Sequence, residues 1–173
     1  MAFGIGRGLT TPLLVINFIL YLVAAALAGW ALNRDIDSSN GTAYSVGNAA
    51  TQWFLPLALI ASVVGLASVL TGVHHVRVYR GDSLAAAHAA SLIAWLLTLL
   101  AFGLACKEIH IGGPRTKRLK TLEAFIIILA FFELLYLLSL HAGIMADDRA
   151  ADNTTARTGP KTGNYGTPAA SAV

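Results

Sequence analysis

The stretch Thr121–Gly143, TLEAFIIILAFFELLYLLSLHAG, decides the fold. Between Glu123 and His141 its one charged side chain is Glu133, set in Leu, Ile, Phe and Ala. A hydrocarbon layer of ~30 Å needs about 20 residues at a rise of 1.5 Å each, so the stretch can cross a bilayer as a helix. Lipid cannot satisfy the free edges of a strand. The strict two-residue alternation of a barrel strand is absent.

Three more runs of this kind lie upstream. Thr11–Leu32 carries no charge, with Asn17 and Tyr21 its notable polar groups, and Ala49–Val73 is also uncharged. Ser83–Cys106 holds His88 as its one ionisable group before the terminal cysteine. The whole chain is 56% apolar and 12% charged over 173 residues. A soluble domain carries roughly a quarter charged residues, so the excess apolar surface must face lipid. The reading is an all-α polytopic membrane protein. Its transmembrane domain, residues 1–143, is a bundle of four helices at about 11–32, 49–73, 83–106 and 121–143. Residues 144–173 are Thr, Ala, Asn, Gly and Asp with two prolines, a composition expected to give a disordered polar tail. No internal repeat is visible.

Ala26-Leu27-Ala28 resembles a signal-peptide cleavage site, but the uncharged stretch around it exceeds a usual signal core and its flank carries a single Arg7. A retained helix is the expectation. With four spans, Arg7, Arg77, Arg80, Arg149, Arg157 and Lys161 fall on one side, and Arg34, Lys107, Arg115, Lys117, Arg118 and Lys120 on the other. The positive-inside rule therefore returns a tie. Both termini are placed in the cytosol because the first loop is slightly acidic and carries the Asn40-Gly41-Thr42 sequon. A second sequon, Asn153-Thr154-Thr155, lies across the membrane from it, so the two cannot both be used.

Glu133 stands out chemically. An ionised carboxylate near mid-membrane costs several kcal/mol by most estimates, so it must be protonated or paired and must face the bundle or a wet cavity. Tyr136 and His141 follow at i+3 and i+8, which puts His141 on the same helix face. Asn17, Tyr21, His88 and Trp95 are the candidate partners on other helices. Glu133, Tyr136, His141, His88 and Asn17 then read either as a substrate or proton pathway or as hydrogen-bonded structural glue. On the second run Ala61, Gly65, Ser68 and Gly72 form a small-residue stripe for helix packing. Pro56, near the start of that run, should bend it.

Two basic groups sit at helix ends: His74, His75, Arg77 and Arg80, and the loop group Arg115, Lys117, Arg118 and Lys120. Either could attract anionic head groups or an anionic solute, or simply anchor the topology. Trp30, Trp53 and Tyr79 lie where interfacial aromatics belong, with Tyr21 deeper. The net charge of +3 forms no dense basic stripe, which argues against nucleic acid. The single cysteine, Cys106, allows no internal disulfide and reads as a buried, inert thiol rather than a palmitoylation site. No phosphate loop, nucleophile elbow, metal cluster or paired acid and base is present, so neither a cofactor nor a metal nor an enzyme is expected.

The strings VYRGDSLAAAHAASLIAWLLTLLAFGLACKEIHIGG and RLKTLEAFIIILAFFELLYLLSLHAG resemble the AWPM-like family of small abscisic-acid-induced plant plasma-membrane proteins. PLLVINFILYLVAAALAGWALN and ATQWFLPLALIASVVGLASVLTGVHH fit the same pattern, so the resemblance covers Pro12 to Gly143. It implies a multi-pass plasma-membrane protein that accumulates under abscisic acid, drought, cold or seed maturation. Family members are linked to stress tolerance and seed dormancy, and one to abscisic-acid uptake. The resemblance brings no set of functional residues with it. Two roles remain open: a facilitator of abscisic-acid uptake, needing a homo-oligomer to enclose a path, or a non-transporting protein that orders the lipid bilayer during dehydration.

Overall fold

The computed structural model describes the backbone of residues 5–39, 47–78 and 80–157, and side chains for 10–38, 47–78 and 80–142. Among the described residues are four helices: α1 (Ile5–Ser39), α2 (Thr51–Val78), α3 (Gly81–Ile111) and α4 (Lys117–Arg157). All four are long and apolar enough to cross a membrane. Short connections make neighbours antiparallel, and the helices pack in ring order, each against the one before and the one after, with α4 closing on α1.

Burial on every helix follows steps of three and four residues. On α1 the buried positions include Thr10, Leu14, Asn17, Tyr21, Ala24, Ala28 and Ala31. On α2 they include Thr51, Phe54, Ala58, Ala61, Gly65, Ser68, Gly72 and His75. On α3 they are Leu84, Ala87, Ser91, Ala94, Thr98, Ala101, Ala105 and Glu108. On α4 they include Leu119, Leu122, Ile126, Leu129, Glu133, Tyr136 and Leu140. A 3.5-residue repeat of this kind is the seam of a left-handed bundle packed knobs into holes. Most inward positions on α2 and α3 are small or hydroxylated, whereas Val15, Ile19, Leu22, Leu70, Ile93, Leu100 and Phe131 point outward. Lipid is as apolar as leucine, so close approach of backbones, not hydrophobicity, marks the inside.

α1, α3 and α4 outrun their apolar runs at both ends, and α2, which starts at Thr51 rather than Ala49, outruns its own at the C-terminal end. Hydropathy registers only the lipid-immersed part, and nothing obliges a helix to stop at the interface. Thus α1 continues through Asn33–Ser38, with the Ser38 hydroxyl bonded to the Asp35 carbonyl at 2.8 Å. The His74–Val78 segment, expected in a loop, belongs to α2, which also runs on through Pro56. Residues 144–157, expected in a disordered tail, prolong α4. That segment holds no proline and no glycine, and the breakers Gly159 and Pro160 come just after Arg157. The remaining 158–173 and the Asn40 sequon lie outside the described residues.

One connection is built tightly enough to test. Gly112 and Gly113 take φ of 69° and 87°, a left-handed region open to glycine, and so end α3. The Asn48 amide donates to the carbonyls of Glu108 (3.0 Å) and Gly112 (2.9 Å), while its Oδ1 accepts from the Ala50 amide at 2.9 Å. Asn48 thereby fastens the start of α2 to the end of α3. Asn48→Ala removes all of these bonds, and the detergent-solubilised protein should lose about 1–2 kcal/mol, seen as a lower thermal midpoint. An unchanged midpoint would show that the connection is not held by this side chain.

Candidate functional site

The heptad seam carries a polar layer at its middle. Asn17 on α1, Ser68 on α2, Ser91 on α3 and Glu133 on α4 are each at most 1% exposed. Asn17 Nδ2 donates to Glu133 Oε2 at 2.8 Å, and the Ser68 and Ser91 hydroxyls donate to Oε1 at 3.2 and 3.0 Å. One carboxyl therefore bonds to every other helix of the bundle. Its hydrogen-bond donors are neutral, so hydrogen bonding rather than a counter-charge holds it.

The layer extends along the seam. Thr98 gives its own hydrogen to the Ala94 carbonyl (2.8 Å), so the Tyr21 hydroxyl donates to Thr98 across the bundle at 3.2 Å. Tyr21 also lies beside Glu133. Gly65 leaves room for the Tyr21 ring, and Gly72 for the Tyr136 hydroxyl. Two buried polar atoms of this layer have no hydrogen-bond partner: Asn17 Oδ1, an acceptor, and the Tyr136 hydroxyl, which can donate or accept.

Of the partners expected for Glu133, Asn17 and Tyr21 are at the carboxyl. His88 and His141 are brought to each other instead, with ring centroids 6.0 Å apart and planes tilted by 39°, and neither hydrogen-bonds to Glu133. Trp95 donates to the Ala130 carbonyl at 3.2 Å. Ala61, Gly65, Ser68 and Gly72 all lie buried on α2, and Ser68 is a ligand of the carboxyl as well as a packing residue. Sequence reasoning passed over Ser91 and Thr98. A seven-residue count from Leu84 along α3, through Ser91 and Thr98 to Ala105, would have drawn the inward column on which both fall.

A second polar group, also unforeseen, closes one end of the seam. The Thr51 hydroxyl donates to Glu108 Oε1 at 2.5 Å, and Arg115 pairs with Glu123 at 2.7 Å. Glu108 Oε2, Glu123 Oε1 and Arg115 Nε remain buried without a partner. The basic loop is thus divided: Arg115 is in an ion pair, Arg118 stacks over the Trp30 ring at 4.2 Å, and Lys117 and Lys120 are exposed. Cys106 corrects an expectation, since it is exposed and not buried. It falls between the inward positions Ala105 and Glu108 and so faces outward.

Among known proteins, residues 15–143 match the AWPM-19-like family. The membrane protein PM19L of Oryza sativa subsp. japonica is 54% identical over 148 residues, which is 86% of this chain and 86% of the rice protein. No solved structure matches.

Proposed function

The chain belongs to the AWPM-19-like family, and on that premise we propose that it is a plasma-membrane protein of the abscisic-acid, drought, cold and seed-maturation response that facilitates abscisic-acid uptake. The observation that carries this reading is the unfilled hydrogen-bonding capacity beside Glu133. Asn17 Oδ1 and the Tyr136 hydroxyl are both buried and unpartnered. A carboxylic acid offers one donor and a carbonyl acceptor, which is the complement of an amide oxygen and a phenol. Abscisic acid, an apolar ring system ending in a carboxyl group, has that chemistry. An ionisable side chain in mid-membrane is in general a pointer to a transported species or proton.

The second reading is a protein that orders the plasma membrane during dehydration without moving anything. It is favoured by the bonds from Glu133 to all three other helices, which suit a structural lock. Labelled abscisic-acid uptake into proteoliposomes separates the two, beside empty liposomes and a Glu133→Gln variant. Saturable uptake several-fold above empty liposomes, lost in a variant that still elutes as a folded species, supports the facilitator. Uptake by the wild type equal to that of empty liposomes discards it in favour of the structural role.

A further inference from the structure

Between α1 and α2, away from the polar layer, a groove of about 360 Å³ opens on the outer surface of the bundle. Its walls are Leu14, Val15 and Phe18 from α1 and Val69, Leu70 and Val73 from α2, with Thr11 and Arg77 at one end. Val15, Phe18, Leu70 and Val73 are each more than a third exposed, so the groove faces the hydrocarbon and not the bundle interior. Val69 to Arg77 spans about 12 Å along the helix axis. The groove therefore starts where α2 reaches the membrane surface and ends well inside the acyl layer.

We propose that this groove binds one anionic phospholipid, with an acyl chain along the α1–α2 seam and its phosphate on Arg77. Apolar walls alone would select nothing, because every lipid tail is as apolar as they are. Selection comes from the charge at the mouth. Arg77 is exposed in the last turn of α2 and takes no part in an ion pair among the described residues, unlike Arg115. His74 lies one turn before it and is exposed too. A cation at the rim of an inter-helical groove is the arrangement that retains anionic head groups. A lipid so placed would fill a defect between α1 and α2, the helices that hold the Asn17 and Ser68 ligands of Glu133.

Native mass spectrometry of the full chain, released from nanodiscs of mixed phosphatidylglycerol and phosphatidylcholine, tests this. One phosphatidylglycerol should remain on each chain with about a fivefold preference over phosphatidylcholine, the size expected of one basic residue near the surface. Arg77→Gln should bring that preference close to unity. Val73→Phe, which fills the groove from an exposed position, should shed both lipids with the helical circular dichroism unchanged. Lys117→Gln, at the opposite membrane face, should change neither. Equal retention of the two lipids, or the same loss in Lys117→Gln as in Arg77→Gln, would overturn the proposal. So would a lipid-free dimer joined across this face.

Discussion

Gly65→Leu is expected to leave no cooperatively folded bundle in detergent. A side chain begun at Gly65 runs into the ring of Tyr21 at its first carbon, and Tyr21 is itself fully buried. The ring has nowhere to go, since its hydroxyl is held by Thr98 on α3. Relief therefore requires α1 and α2 to separate, which also pulls Asn17 and Ser68 away from Glu133. Overpacking a good core costs about 1–3 kcal/mol where side chains can adjust, and here the backbone must move, so the loss should exceed about 3 kcal/mol. Gly103→Leu on α3 supplies the comparison, because a Cβ there meets nothing within 4 Å. Its thermal midpoint should match the wild type or rise slightly, as leucine is the better helix former. If the two variants melt alike, Gly65 is not a contact that the bundle depends on.

Glu133→Leu should cost about 2 kcal/mol. Inter-helical hydrogen bonds in membranes average about 0.6 kcal/mol, and this substitution removes the acceptor for Asn17, Ser68 and Ser91 together. The serines can fall back on carbonyls of their own helices. The Asn17 amide has less recourse, so the coupling should concentrate on that pair. A double-mutant cycle of Glu133→Leu with Asn17→Ala should return about 1 kcal/mol, more than either serine pair gives. Glu133→Gln keeps an oxygen acceptor and should lie nearer the wild type than Glu133→Leu does. A leucine variant as stable as the native chain would show that the polar layer holds nothing, leaving its retention to be explained by transport alone.

The number of helices and their approximate places could be read from hydropathy, since stretches such as Thr121–Gly143 admit no other solution in lipid. Their ends could not. Asn33–Ser38 and residues 144–157 are polar and look like loop, yet a helix already propagating adds hydrogen bonds through them at little expense. Glu133 announced itself by charge, and Asn17 and Tyr21 by being polar within otherwise apolar runs. Ser91 and Thr98 did not, because hydroxyl residues are ordinary in a membrane helix and each can satisfy itself on its own backbone. What distinguishes them is their place in the series Ala87, Ser91, Ala94, Thr98, Ala101, which becomes visible only when small residues, not large ones, are taken to mark the inside. The pairing of Thr51 with Glu108, and of Arg115 with Glu123, depends on how the ends of α2, α3 and α4 meet, and hydropathy does not encode that.

The bonds converging on Glu133 also bear on how the protein is made. While α4 stands alone in lipid its carboxyl has no partner, and a helix with an unmet polar group at mid-membrane is poorly retained there. The ligands on α1, α2 and α3 precede α4 in synthesis, so the receiving site is complete before the carboxyl arrives. A chain with any one of those helices missing or rotated would keep a lasting polar flaw within the bilayer. Such a flaw is a feature by which a cell could tell finished copies from unfinished ones and remove the latter.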